Sequence, residues 1–380
     1  MSLFGRKKGW KANGKEFRPL CSPLLAGSVN NIRLAVKGHK IDQGYHLKLY
    51  RTYIASALIT PFRWYEHARY DFFLKQQKIE KDPLFILGHW RSGTTYLHNL
   101  LSQDPQMAYV STYQSVFPEL LGSKWVFRPV MRALMPKKRA ADNVELNVKY
   151  PQEEEFGLGN MCHYCYYYFW LFPHQVKEYY NKFIKFKVDK KIKEEWKEQY
   201  LRLVKKAIYD LKRPRFISKN PPNTGRIPII LEMFPNAKFI YIKRDPITTF
   251  LSTKRFFKST IPALQFQNIN ENELESFIVN IYHRLLKDYK FDKKQIPNGN
   301  LIEISYEEFL KQPLKNLKQI YHSLGLDGFF KAQSLFKQYI NSQKNFKKKD
   351  YILSQEEFAR IKKLLNLPDD YKPLNGIKVE

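Results

Sequence analysis

The sequence predicts a three-layer α/β/α fold with a short, largely parallel sheet and additional helices at the N- and C-terminal ends. Apolar, strand-like runs lie at residues 84–87, 216–218, 239–242 and 301–304. Helical patterns separate these runs, and that alternation is typical of βαβ units, whose strands are parallel. A chain of 380 residues with 43% hydrophobic residues is large enough for one such domain with helical additions.

The same pattern divides this single domain into regions. Residues 1–81 form an N-terminal extension that is expected to be loosely ordered over residues 1–20 and helical beyond them. Residues 82–326 form the α/β core, and residues 112–212 are a helical, aromatic-rich insertion within it. Residues 327–380 are predicted to form a tail of helices with lysine-rich links.

The first strand leads into a loop with the spacing of a phosphate site. Gly88 and Gly93 bound this loop at the distance found in Walker-type loops, where backbone N–H groups and a helix N-terminus hold a phosphate. A Walker loop has a lysine after its second glycine, but Thr94 occupies that position, and Arg91 supplies a positive charge inside the loop instead. We therefore expect the loop to hold a nucleotide 5′-phosphate without ordinary triphosphate chemistry.

A second group of residues points to another phosphate. Arg244 follows the strand at 239–242, and Asp245 and Pro246 are good residues with which to begin a helix. Ser252 then lies about two turns into that helix. A guanidinium and a hydroxyl placed in this way could share one extra phosphate group.

At these residues the chain resembles the PAPS-dependent sulfotransferases, which use 3′-phosphoadenylyl sulfate (PAPS). That family pairs a loop of the form (Lys/Arg)-Ser-Gly-Thr-Thr, here residues 91–95, with a later arginine and a serine eight positions on, here Arg244 and Ser252. The segment at 301–309, which contains Tyr306, is similar to the family's strand ending in Tyr-Glu-Asp/Glu-Leu. The resemblance implies a P-loop-like fold, and transfer of a sulfuryl group from PAPS to a hydroxyl or amine.

The resemblance also implies roles for individual residues. Arg91 and Lys219 would act where negative charge grows on the leaving phosphate, and no metal is expected because these cations can stabilise that charge. The residues that would hold the nucleotide are Arg91, Ser92, Gly93, Thr94, Thr95, Arg244, Ser252 and Tyr306.

The catalytic base cannot be transferred from the family. Relatives place a His or Glu soon after the phosphate loop, and in this chain the neighbourhood at residues 110–115 has neither. The best candidates are Glu153 and Glu155, in an acidic run that could equally be an ordinary helix start stabilised by the helix dipole. These two side chains would point to different faces of a helix, and His89 and His163 are alternatives.

The charge of the chain restricts its partners. A net charge of +29 favours anionic partners, although no recognised nucleic-acid motif is present, so no nucleic acid is expected. No apolar run reaches the roughly 20 residues that span a bilayer, which predicts a cytoplasmic protein. The basic, aromatic region at 30–81 leaves contact with an anionic membrane open, against packing on the domain. The aromatic insertion suggests a small-molecule or lipid-like acceptor.

Two other functions stay open at this point. A P-loop kinase or NTPase would share the glycine spacing, but the lysine that should follow Gly93 is missing. A basic membrane-binding protein without catalysis would explain the charge and the aromatic residues, but not the paired phosphate sites.

Overall fold

A computed structural model of the chain describes residues 19–136, 145–344, 350–372 and 376–380. Its central sheet has the strands β1 (Lys81–Leu87), β2 (Met107–Ala108), β3 (Arg215–Lys219), β4 (Lys238–Lys243) and β5 (Leu301–Ser305). They lie in the order β2-β3-β1-β4-β5, and every neighbouring pair is parallel. The expected loosely ordered segment at 1–20 falls almost wholly outside the described residues.

Helices precede, separate and follow these strands. Before β3 they are α1 (Val29–Val36), α2 (His46–Gln76), α3 (Thr94–Leu101), α4 (Thr112–Val116), α5 (Lys124–Leu134), α6 (Glu154–Met161), α7 (Val176–Phe183) and α8 (Lys190–Leu211). After β3 they are α9 (Ile227–Met233), α10 (Pro246–Leu264), α11 (Glu271–Asp292), α12 (Tyr306–Lys311), α13 (Pro313–Ser323), α14 (Phe329–Ser342) and α15 (Gln355–Leu364).

The sheet is covered on both faces, which confirms the predicted three-layer α/β fold. Along β1, Leu84 and Ile86 pack in a core with α3, α12, α13 and α14. Their neighbours Phe85 and Leu87 pack in a second core with α8, α9 and α11. Because successive side chains of a strand point to opposite faces, a strand buried on both sides is a continuous apolar run. That is why the apolar runs of β1 and β4 stand out in the sequence, whereas β5, at the sheet edge, is only partly buried and contains Glu303. The sequence does not predict β2, since two residues cannot show a period.

The aromatic cluster of the insertion lies in a third core. A 3₁₀ helix at Tyr166–Trp170 is wholly buried and packs against α10 and α11. The ring centroids of Trp170 and Phe257 are 4.6 Å apart. These aromatic residues therefore stabilise the interior of the domain.

The two ends of the chain differ in how well the sequence predicts them. The extension at 1–81 is helical where it is described, as expected, and no described helix is both long and apolar enough to cross a bilayer. The tail contains α14 and α15 and also an unpredicted parallel pair, β6 (Tyr351–Leu353) and β7 (Ile377–Val379). The Tyr371 hydroxyl donates to the carboxylate of Asp245, which brings the tail to the start of α10.

Candidate active site

The predicted site residues gather at the carboxyl ends of four neighbouring strands. The loop at 88–93 follows β1, Lys219 ends β3, Arg244 follows β4, and Tyr306 follows β5. The strands β1 and β4 are neighbours, but the connection after β1 runs to β2 on one side of them, whereas the connection after β4 runs to β5 on the other side. Such a reversal of strand order is where open parallel sheets form ligand crevices, outside the carboxyl ends of the strands.

The phosphate loop has a conformation that depends on its glycines. Gly93 has φ +97°, and a Cβ added to it would lie 2.1 Å from the ring of Tyr306. Gly88 has φ +147°, and its backbone N–H donates to the Thr224 hydroxyl at 2.8 Å. The loop is therefore held at both ends, and α3 begins directly after Gly93 with its N-terminal N–H groups available to an anion.

The second predicted phosphate site is in direct contact with this loop. The Nε atom of Arg91 donates to Ser252 Oγ at 3.0 Å. Arg244 Nη1 donates to the backbone carbonyl of Arg91 at 2.8 Å, and its guanidinium lies over the ring of Tyr306, 4.6 Å from the centroid. Ser252 can accept from Arg91 and still donate its own proton to an anion. Four of the predicted residues thus form one connected group.

Glu153 and Lys219 form an ion pair at the edge of this group. The Lys219 ammonium, almost fully buried, donates to one carboxylate oxygen of Glu153. The hydroxyl of Tyr167 donates to the other oxygen at 2.5 Å, and Trp90 Nε1 donates to that hydroxyl at 3.2 Å. Because Trp90 lies within the phosphate loop, a chain of hydrogen bonds connects the loop to Glu153.

Glu155 is in a different environment from Glu153. Its carboxylate accepts two hydrogen bonds from Arg226, at 2.6 and 2.9 Å, and one from Asn220 at 2.8 Å. The backbone N–H of Tyr166 donates to it at 2.8 Å. Burial by itself raises the pKa of this carboxyl. The ion pair with Arg226 and these hydrogen bonds together have the larger effect, and they hold the pKa below its ordinary value. Glu155 is therefore a fully engaged, buried anion.

The residue between them, Glu154, is also buried and engaged. It accepts from the hydroxyls of Ser218 and Tyr200 at 2.5 and 2.9 Å, and from Asn223 at 2.9 Å. Burial raises the pKa of its carboxyl. The helix α6 begins at Glu154, so the run is a helix start, as one of the sequence interpretations has it. Of its three carboxylates, Glu153 is the one paired with Lys219.

The two histidine candidates differ in their relation to the loop. His89 lies within it, its Nδ1–H donates to the carbonyl of Trp90 at 2.9 Å, and its Nε2 is shielded from solvent. Burial lowers the pKa of His89 to about 4, so the ring is neutral near pH 7. His163 packs against Tyr164, with 4.0 Å between ring centroids, and burial lowers its pKa as well.

Sequence reasoning does not identify three residues that shape the site. Trp90 is a large apolar residue inside a phosphate loop, which is a signal that could have marked it. Tyr167 is one of many aromatic residues in its segment, and nothing in the pattern distinguishes it. Thr224 lies in a 3₁₀ helix after β3, and only the fold shows that it meets Gly88.

Comparison with known proteins identifies the family. The family model described as "Sulfotransferase family" matches residues 83–331. The omega-hydroxy-beta-dihydromenaquinone-9 sulfotransferase Stf3 of Mycobacterium bovis is 32% identical over 289 residues, which cover 74% of this chain and 73% of that protein. The protein of the same name from Mycobacterium tuberculosis matches with the same values. The chain therefore belongs to the sulfotransferase family and is a sulfotransferase.

Solved structures of the family share the fold. Sulfotransferase STF1 from Mycobacterium tuberculosis H37Rv superposes with a TM-score of 0.63 at 17% identity, and the match covers 90% of this chain and 93% of that one. Sulfotransferase STF9 from Mycobacterium avium gives 0.64 at 16% identity, covering 90% and 95%. At these identities the likeness bears on the architecture alone.

Proposed function

We propose that this sulfotransferase takes its sulfuryl group from PAPS and transfers it to a hydroxyl of a lipid-like acceptor. The observation that carries the donor assignment is the contact between Arg91 and Ser252, together with that between Arg244 and Arg91. These contacts place the residues suited to a 3′-phosphate beside the loop suited to a 5′-phosphate. PAPS carries both phosphates, whereas ATP and AMP lack the 3′-phosphate.

In this proposal the loop and the start of α3 bind the 5′-phosphosulfate, through the backbone N–H groups and hydroxyls at residues 91–95. Arg244 and Ser252 bind the 3′-phosphate by charge-assisted hydrogen bonds. Tyr306 supports both of these phosphate-binding groups, since its ring contacts Gly93 in the loop and the guanidinium of Arg244.

The reaction would proceed by attack of the acceptor oxygen on sulfur. The new bond joins the acceptor oxygen to sulfur, and the bond between sulfur and the 5′-phosphate oxygen breaks. The electron pair of that bond stays on the phosphate, and adenosine 3′,5′-bisphosphate leaves. Arg91 and Lys219 would stabilise the charge that develops on the phosphate oxygen.

The acceptor's proton would go to the carboxylate of Glu153. Glu153 is proposed over Glu155 because Glu155 already accepts hydrogen bonds from three partners in the protein interior, so an acceptor hydroxyl has no access to it. Glu153 is held by Lys219, whose backbone is in register with Ile86, two residues before the loop. This register supports the proposal that Lys219 acts between the base and the leaving phosphate.

The acceptor class rests on similarity. The relatives named above act, by their names, on a hydroxylated menaquinone derivative, which is a lipid. Incubation with radiolabelled PAPS and separate pools of lipid alcohols, amines and water-soluble alcohols tests both halves of the proposal. Transfer of label to a lipid alcohol is expected. Label found only in amines or water-soluble products would overturn the acceptor class, and absence of PAPS binding would overturn the donor.

A further inference from the structure

We infer that the outer face of α2, together with α5, binds the surface of an anionic lipid bilayer. This inference does not rest on the proposed donor or acceptor. It starts from the distribution of side chains along α2, which runs for 31 residues from His46 to Gln76.

The helix α2 presents its apolar side chains outward. Exposed apolar residues recur along one stripe, and they are Leu47, Tyr50, Ile54, Leu58, Tyr65 and Phe72. Their spacings of three, four, four, seven and seven keep them on one side of a helix with 3.6 residues per turn. At 1.5 Å per residue the stripe is about 38 Å long. Leu58 is 71% exposed, so the stripe lies open on the surface.

The opposite side of α2 is buried and largely polar. It contains Thr52, Ser56, Arg63 and Glu66. The Glu66 carboxylate accepts from the buried Lys206 ammonium at 3.0 Å and from the backbone N–H of Gly122 at 2.8 Å. These contacts fix the rotation of the helix. The usual arrangement, with apolar residues inside and polar residues outside, is reversed, and a reversed helix of this length indicates an apolar environment for its outer side.

The helix α5 extends the same surface. The ring centroids of Phe62 on α2 and Phe127 on α5 are 5.0 Å apart in an edge-to-face contact. No residue of α5 is buried, and Trp125 and Leu134 are 77% and 78% exposed. An exposed amphipathic helix with tryptophan on its apolar side is typical of helices that lie in the interfacial layer of a bilayer. We call these outward side chains of α2 and α5 the α2–α5 face.

Charge decides which partner fits this face. Arg51, Arg69 and Lys75 on α2 and Arg132 on α5 are exposed. Of the two acidic residues of α2, Glu66 is buried and pairs with Lys206, and Asp71 is partly exposed and pairs with Arg202, and α5 has no acidic residue. A second copy of the chain would bring like charges together across a two-fold interface. An anionic bilayer accepts both the apolar stripe and the surrounding cations.

Binding to vesicles tests the inference directly. The full chain, without nucleotide, should sediment with phosphatidylcholine vesicles that contain phosphatidylglycerol, and much less with phosphatidylcholine alone. Leu58→Glu and Trp125→Glu should each lower vesicle affinity at least tenfold, because each puts a charge into the apolar layer. Phe291→Glu and Phe330→Glu are matched controls on α11 and α14, at side chains that are 72% and 76% exposed, and should bind vesicles like the unaltered protein.

Other results would overturn the inference. One is the absence of binding to the anionic vesicles, and another is an equal loss of binding in the two control variants. A third is a stable dimer in sedimentation velocity that Leu58→Glu converts to monomer, which would assign the face to a second copy. Thermal unfolding and nucleotide binding of all four variants should be unchanged. If the proposed function alone is wrong, vesicle binding persists while PAPS binding is absent.

Discussion

At the scale of single residues, three consecutive glutamates show how position alone separates roles. Glu153, Glu154 and Glu155 are chemically identical, yet the first contacts Lys219 and Tyr167, while the third is enclosed by Arg226 and Asn220. A general base must be reached by the proton that it removes, whereas a buried anion contributes by completing an ion pair.

The two outer glutamates should therefore respond differently to the same substitution. Glu153→Gln is expected to lower turnover about a hundredfold or more, with PAPS affinity retained, because the carboxylate acts only when the proton moves. Glu155→Gln should instead lower the free energy of unfolding by about 3–5 kcal/mol, since it leaves the Arg226 charge buried without its partner. Single-turnover kinetics and denaturant unfolding measure the two effects.

Glu178→Gln is the control for both variants, because this glutamate is exposed and pairs with Lys182 on the surface. It should change neither quantity measurably. Full turnover in Glu153→Gln would remove Glu153 as the base and leave the proton to His89, His163 or another group.

Sequence reasoning proposes residues for phosphate binding but does not choose among the three carboxylates. Arg91 and its neighbours form a local motif, so the spacing of a few residues is enough to propose them. The partners of Glu153 are distant in the chain: Lys219 is 66 positions away and Tyr167 is 14. Which glutamate faces which partner depends on where α6 packs, and no local pattern contains that information.

At the scale of elements, the shape of the phosphate loop depends on β1, α3 and α12, which converge on it. The loop leaves the end of β1, α3 starts directly after Gly93, and Tyr306 at the start of α12 closes over Gly93. The positive φ and the lack of a Cβ are both required at this one position. A comparison with a second glycine, which has a positive φ but open space around it, separates these two requirements.

Gly93→Ala and Gly299→Ala form that comparison. Gly299 has φ +82° with nothing within 4 Å of an added Cβ, so its alanine variant carries the backbone strain alone, about 1–2 kcal/mol. Gly93→Ala adds the clash with Tyr306, and it should cost more stability and abolish most nucleotide binding. Thermal unfolding and calorimetry with adenosine 3′,5′-bisphosphate measure both. Similar behaviour of the two variants would contradict the close packing of Tyr306 on the loop.

At the scale of the whole molecule, a chain with a net charge of +29 holds one histidine of the candidate site, His89, buried and neutral near pH 7. The pKa of His89 in the folded protein is about 4, below its ordinary value of about 6.5. Above pH 6.5 the ring is neutral in both folded and unfolded states and has no effect on stability. Between about 6.5 and 4 the unfolded chain binds the proton preferentially, so stability falls as the pH falls.

His89→Gln should weaken this pH dependence. At pH 5 the protonation of the unfolded chain costs the unaltered protein about 2 kcal/mol relative to pH 7, and the variant should lack that part of the loss. Urea unfolding at pH 7 and pH 5 for both proteins gives the difference. The other histidines contribute equally to both proteins and cancel. An identical pH dependence would show that His89 titrates normally in the folded state.

The central claim is that distant parts of the chain, the loop after β1 and the start of α10, together form a site for a nucleotide with two separate phosphates. Calorimetry of adenosine 3′,5′-bisphosphate against AMP tests it most directly. We expect a preference of roughly tenfold to a hundredfold for the bisphosphate, the equivalent of one charge-assisted contact. Arg244→Ala should abolish that preference and leave AMP binding nearly unchanged, whereas Arg33→Ala, at an exposed arginine of α1, should preserve it. Equal affinities for the two nucleotides in the unaltered protein would contradict the claim.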